Sequence, residues 1–296
     1  MIQYNPKDWF TFIFQFHKAD TFRKLIPMLF GLSIYSAIIV FAETQLKLTN
    51  ENQVKFIPQM HALLGFAISM LLVFRTNTAY DRWWEARKLW GLLVNNSRNL
   101  AIKLSVMLPA LDYTNRIILS KAIGLFAFAL HHHLRKEKIR FELIDAEDKE
   151  RAFIHIDHNK HVPNQLATLI VKLVNQIHRE NKITGEQYLS LNTEINSFMD
   201  ICGGCERIKN TPIPFSYSVF IKKFIFFYIM TLPFGFGHSL GYYTVPLVVF
   251  IFFVLASLEL IAEEIEDPFS GDENDVPTQR LSENIWKNVQ EVLKTN

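Results

Sequence analysis

The chain has 296 residues, 49% hydrophobic, 14% aromatic and 20% charged, with 31 Lys+Arg against 29 Asp+Glu and a net charge of +2. That near-balance argues against a nucleic-acid partner, which draws positive charge onto one face; two cysteines exclude a disulfide scaffold, and 11 Gly with 11 Pro exclude a collagen-like chain. A mean hydropathy of +0.10 suits a soluble globule, but 26 Phe in a charged chain require the apolar residues to be located first.

In chain order, residues 1–24 mix Lys7, Asp8, Lys18, Asp20, Arg23 and Lys24 with aromatics, so no cleavable signal peptide is expected. The run at 9–16 (WFTFIFQF) suits either a helix at a membrane interface or packing on the protein's own cytosolic helices. Residues 26–42 and 56–74 are free of formal charge, and a bilayer core of roughly 30 Å needs about 20 apolar residues per helix, with a range of about 17 to 25. Membrane helices are therefore expected at 25–43 and 56–75. The second runs without a breaker into a charged helix expected at 76–110.

The region 111–216 is helical in pattern, with no strand-like alternation of any length. Leu166, Ile170, Leu173, Val174 and Ile177 form one apolar stripe. Residues 117–134 are also helical, but Lys121 and the triplet His131, His132 and His133 make a poor membrane span, so the segment is assigned to a cytosolic bundle. Linkers are expected at 157–164, 184–185 and 202–205. The longest uncharged run, 224–258, is interrupted near 233–241 (PFGFGHSLG) and reads as two membrane helices, 217–234 and 242–262. The segment 263–296 holds an acidic turn and a short amphipathic piece at 285–293.

Orientation follows from Lys and Arg in the short flanks. Lys18, Arg23 and Lys24 precede the first span, and Arg75, Arg82, Arg87, Lys88 and Arg98 follow the second. The loop at 43–55 sets Lys47 and Lys55 against Glu43 and Glu51, and the 235–241 turn has no charge. Both termini and the long middle segment are thus expected in the cytoplasm.

Several constellations bear on function. Phe66, Met70 and Phe74 stand at i, i+4 and i+8, one slowly rotating stripe that either packs on a neighbouring helix or, repeated in several copies, makes a constriction that excludes water. Gly65, Ala67 and Ser69 are small enough for close helix contacts beside it. Arg82, Trp83, Trp84, Glu85, Arg87 and Trp90 follow on the same helical run. Cys202 and Cys205 form C-x-x-C without a second pair, a weak signal for zinc or redox chemistry. Adjacent histidines on one helix face different ways, so the 131–133 triplet reads as a solvated patch rather than a metal site. The acidic run 263–275 could hold a hard cation through its oxygens or be a solvated turn.

The segment 65–87 (GFAISMLLVFRTNTAYDRWWEAR) resembles the signature of bestrophin-family ion channels, in their bacterial branch. The stretch 205–217 (CERIKNTPIPFSY), the late helical hairpin and 263–272 (EEIEDPFSGD) agree with it, so the resemblance spans roughly 5–280. It implies an all-α membrane protein with four transmembrane helices per subunit, a cytosolic helical bundle and a homopentamer around a central pore. It further implies that Phe66, Met70 and Phe74 form the pore neck and that Ile213, held between Pro212 and Pro214, lines a cytosolic aperture. The acidic run matches the calcium clasp of eukaryotic members: Asp272 and Asp275 at its two liganding carboxylates, the carbonyl of Asp267 at a backbone ligand, and Glu264 where a Gln side chain serves. Gly271 and Asn274 replace acidic residues there, which favours a solvated turn over a Ca2+ site. No cofactor is required.

These readings lead to a pentameric channel of the bacterial inner membrane, in contact with membrane lipids and copies of itself, passing monovalent ions. Eukaryotic relatives conduct chloride and bacterial ones favour monovalent cations. The stripe is uncharged, so the sign rests on weaker fields from helix ends, Arg75, Asp81 and Glu85, with anions favoured at the family level. The alternative is a membrane-embedded enzyme acting on a lipid-linked substrate. Its spans would supply only His61 and His238, on different helices, with no intramembrane carboxylate expected beside them. A secondary transporter lacks charged midplane residues and inverted repeats.

Overall fold

The computed structural model describes residues 20–45, 56–137, 156–157 and 159–294. The aromatic run at 9–16 and the loop carrying Lys47 and Lys55 lie outside these residues. The described residues contain eight α-helices and no strand: α1 (Asp20–Gln45), α2 (Ile57–Met107), α3 (Tyr113–Arg135), α4 (Val162–Arg179), α5 (Gly185–Asn210), α6 (Phe215–Leu240), α7 (Thr244–Glu266) and α8 (Thr278–Lys294). They fall into two compact units, divided at Arg82/Trp83, Thr211/Pro212 and Glu266/Asp267. The 51-residue α2 supplies its first half to one unit and its second half to the other.

The first unit packs α1, the start of α2, α6 and α7. Its interior is aliphatic, with Leu25, Ile68, Leu72, Ile225, Ile229 and Val248 buried. Tyr35 in α1 donates its hydroxyl to the Met230 carbonyl in α6 at 2.9 Å. Many large apolar residues face outward instead, among them Phe30, Ile38, Phe227 and Phe250, as expected of helices whose solvent is lipid. The break expected at 233–241 falls at the last residue of that interval. Helix α6 continues through Pro233 to Leu240, and the reversal comes at Gly241, whose φ of +53 suits a residue without Cβ, followed by one 3₁₀ turn, Gly241–Tyr243. Proline removes only one donor, and apolar helices carry it inside a span when neighbours compensate.

The second unit is a helical bundle built from the end of α2 with α3, α4, α5 and α8. Helix α3 is also long and apolar enough to cross a membrane, but 72% of its most apolar stretch is buried against 17–33% for the other candidate spans. Arg116, Lys121 and His131 are buried with it, so it is the bundle's central helix. Its Phe126 packs on Phe198 of α5 with ring centres 5.0 Å apart. The stripe expected on α4 is buried at Leu166, Ile170, Val174 and Ile177, with Leu173 partly covered. Two of the expected linkers are helix starts: His161 caps α4, and Thr184 with Gln187 forms the capping box of α5. The third linker, 202–205, lies inside α5. Two glycines there cost about 1 kcal/mol each against alanine. Gly204 has a packing reason, since a Cβ on it would stand 2.9 Å from Leu89 Cδ1.

Candidate functional site

The stripe on α2 has two faces of opposite character. Phe66, Met70 and Phe74 are 68%, 51% and 55% exposed, whereas Ile68 and Leu72, on the other face of the same turns, are 1% exposed. The helix therefore buries one aliphatic face in its own unit and presents three large apolar side chains that the described residues leave more than half exposed. Close packing beside the stripe occurs at Gly65, where a Cβ would come 2.9 Å from the Tyr228 hydroxyl. Ser69 is exposed and bonds back to the Gly65 carbonyl at 2.7 Å.

One residue beyond Phe74, the stripe ends at a buried charge. Arg75 is 1% exposed; its Nη2 donates to Glu266 Oε2 at 2.7 Å and its Nε lies 3.6 Å from Glu259 Oε2. The other oxygen of Glu266 accepts the Ile213 amide at 2.7 Å, and the Glu266 carbonyl accepts Arg82 Nε at 3.0 Å. Ile213 itself is half-buried. Pro212 and Pro214 have no N–H, so the Ile213 amide is the one backbone donor of the Pro-Ile-Pro connector, and Glu266 takes it. The sequence marks Glu266 only as a member of the acidic run 263–275 and gives Glu259 no role. The available signal was Arg75 standing against the end of an uncharged span, where a cation needs a carboxylate.

The acidic run is divided between the two units at Glu266/Asp267. Glu264, in the first unit, lies 3.8 Å from Lys24. Asp267 pairs with Lys209 at 2.6 Å and accepts the Phe269 amide at 3.2 Å. Asp272 and Asp275 do meet, sharing the Ser270 hydroxyl at 2.9 Å and 3.2 Å. The buried Asp275 carboxylate also accepts the Gly271 and Asp272 amides at 2.5 Å and 3.2 Å. Burial and the Asp272 charge push its carboxyl up to about 6, against the opposing Gly271 bond. Gly271 has φ +110 and the Arg135 guanidinium where a side chain would stand, so the turn depends on glycine here. Trp83 Nε1 donates to the Asn274 carbonyl at 2.9 Å, and Trp90 is fully buried, so these two tryptophans serve the bundle rather than an interfacial belt. Glu85 pairs with Arg207, and Asp81 is exposed.

Both ring nitrogens of His61 are engaged, Nδ1 with the Ile57 carbonyl at 2.9 Å and Nε2 with the Thr231 hydroxyl at 3.0 Å. The expectation of no carboxylate near His238 is corrected: Glu43 is buried against the Gly237 backbone and His238 acts on it electrostatically. Neither Glu43 oxygen has a hydrogen-bond partner among the described residues, so Glu43 and His238 are not hydrogen-bonded to each other. Cys202 and Cys205 are free, and burial pushes the Cys202 thiol up to about 12 and Cys205 higher still, which leaves both protonated and inert. The histidine triplet is not a solvated patch. His131 is buried with Nδ1 2.7 Å from the Thr278 hydroxyl, and burial lowers its pKa to about 4. His133 meets Glu206 of α5.

Known proteins resemble this chain along nearly its whole length. A family model described as "Bacterial/Fungal Bestrophin protein" matches residues 1–291. A voltage-dependent anion channel-forming protein of Nostoc sp. is 35% identical over 268 residues, 88% of this chain and 87% of its own. The protein of that name from Escherichia coli K12 is 29% identical, over 95% of this chain and 90% of its own. The crystal structure of a bacterial bestrophin homologue from Klebsiella pneumoniae superposes with a TM-score of 0.79 at 28% identity, covering 92% of this chain and 99% of that one.

Proposed function

The chain belongs to the bacterial and fungal bestrophin family and is an ion channel of the membrane, and we propose that five copies surround a central axis with Phe66, Met70 and Phe74 as the neck of the pore. The observation that carries the proposal is the exposure of these three side chains on a helix whose other face is buried. A row of large apolar side chains that the described residues leave exposed calls for a neighbour, and rings from successive copies give it one. A narrow apolar ring loses its water readily, so such a neck conducts when it widens and closes by dewetting.

Ile213 forms the second, cytosolic constriction, and the Glu266 carboxylate holds its amide. The membrane crossings are α1, the first part of α2, α6 and α7, in a bacterial inner membrane with both termini cytoplasmic. The current is carried by monovalent ions, and by anions in preference. That preference is supported by relatives named anion channel-forming. Arg75 adds little to it, because its charge is held between Glu259 and Glu266. Of the residues that match the calcium clasp, Asp272 and Asp275 share the Ser270 hydroxyl, and two amides occupy Asp275 Oδ2. The acidic turn is therefore closed by its own hydrogen bonds, without calcium. The test is planar-bilayer recording of the purified protein under asymmetric salt, where the sign of the reversal potential separates anion from cation current.

A further inference from the structure

A different chemistry gathers in the helical bundle of the second unit. His133 stands near the end of α3, His161 caps the start of α4 and Glu206 lies in α5, so three helices each supply one side chain. Both imidazole Nε2 atoms stand 2.6 Å from the same oxygen, Glu206 Oε1, and the ring centres are 4.3 Å apart. All three side chains are half-buried, and His133 and Glu206 line an open cavity of about 420 Å³. The three ligand atoms fall within 4.8 Å of one another, inside the span that a single ion bridges.

Imidazole nitrogen with carboxylate oxygen is the donor set of zinc and its first-row neighbours, and three protein donors leave a fourth position for water. We propose that His133, His161 and Glu206 form a site for a divalent transition-metal ion of the zinc class, with water from the cavity completing a four-coordinate shell. The ion would tie α3, α4 and α5 together at one point.

Without metal, the trio is held by hydrogen bonds: each ring donates Nε2–H to Glu206, and His161 Nδ1 accepts the Asn164 amide at 3.1 Å. Metal at Nε2 requires the Nε2 proton of each neutral ring to shift to that ring's Nδ1; on His161 this releases the Asn164 amide, so binding costs one helix-capping bond and releases no net proton. Burial raises the Glu206 carboxyl, but the His161 and His133 hydrogen bonds outweigh it and hold it below the usual range, so the ligand is already an anion at neutral pH. The cavity wall carries three lysines: Lys209 is paired with Asp267 at 2.6 Å, Lys160 with Asp157 at 3.5 Å, and Lys136 is the third. A neighbouring group of His131, His132 and Glu137 also lies within ligand reach. It is the weaker candidate, because His131 Nδ1 is taken by Thr278 and the His132–Glu137 contact is longer, at 3.3 Å.

The test uses the full chain in detergent, stripped with a chelator and titrated with Zn2+ or Co2+ against a chromophoric competitor. We expect one equivalent per chain, a raised unfolding midpoint, and the visible spectrum of a four-coordinate nitrogen/oxygen cobalt site without a sulfur charge-transfer band. His133→Ala and Glu206→Gln should each weaken binding by more than about 100-fold, beyond the loss caused by removing an outer-shell partner. His132→Ala should leave it unchanged. The absence of saturable binding overturns the proposal, as does a sulfur charge-transfer band or binding that survives both substitutions. Should the variants fail to fold, the cobalt spectrum of the unsubstituted chain decides alone.

Discussion

Arg75 and Glu266 meet at 2.7 Å across 191 residues of sequence, and the second oxygen of the same carboxylate holds the Ile213 amide, also at 2.7 Å. One side chain thus joins the residue that follows Phe74 to the connector that carries Ile213. Glu266 is also the last residue of α7, immediately before the acidic turn.

Glu266→Ala should be among the most damaging single changes in the first unit. It leaves Arg75 buried with only the 3.6 Å contact to Glu259 and frees the Ile213 amide. Removing one partner of a buried pair costs about 3–5 kcal/mol. Thermal unfolding in detergent measures the loss, and Glu266→Gln, which keeps an acceptor for Ile213, should recover part of it. An unchanged midpoint in Glu266→Ala would show that the pair carries no structural role.

Glu43 should behave in the opposite way. Both its carboxylate oxygens are buried without a hydrogen-bond partner among the described residues, and burying an unpaired charge is costly. Glu43→Gln removes the charge at nearly constant volume and should raise the unfolding midpoint. Gly237→Ala, which places a methyl group against that carboxylate, should lower it. A lower midpoint in Glu43→Gln would mean that the carboxylate has a partner, such as an ion or a second copy.

Two buried groups set opposing pH slopes in the second unit. Asp275 rises from 3.8 to about 6, so the folded state binds more protons than the unfolded one in that window and stability falls as pH rises through it. His131 drops from 6.5 to about 4, so the unfolded state binds more protons there and stability rises with pH. The two contributions nearly offset each other between about pH 4 and 6. Asp275→Asn should expose the rising slope and His131→Gln the falling one, measured as unfolding midpoint against pH. Parallel profiles for the two variants would contradict both assignments.

Calcium should not matter to the turn. Chelation of the purified protein is expected to leave both the unfolding midpoint and the current unchanged, because Gly271, Asp272 and Ser270 already satisfy Asp275. A midpoint that rises on adding Ca2+ to chelated protein would assign Asp272 and Asp275 to a cation site instead.

Much of the architecture was legible because it is written in local patterns. Charge-free runs marked α1 and α7, and the i, i+4, i+8 stripe marked the face of α2 that the fold leaves uncovered. The misses have local causes of another kind. Gly203 and Gly204 read as a linker, because sequence alone does not show Leu89 pressing where a side chain would go. Pro233 read as a helix end, though the reversal waits for Gly241. The ties of Arg75 to Glu266 and of His133 to Glu206 join residues far apart in the chain, and no periodicity reports which distant helix will supply a partner. His131 read as solvated because its charge class was known and its burial among α3 and α8 was not.

Single-channel recording in a planar bilayer shows whether Phe66, Met70 and Phe74 line the neck of a pore. The parent protein should carry current above protein-free controls under asymmetric salt, with a reversal potential on the anion side. Met70→Ala with Phe74→Ala should widen the constriction and raise unitary conductance several-fold. A silent parent protein, or a double variant that conducts like the parent, would contradict the account.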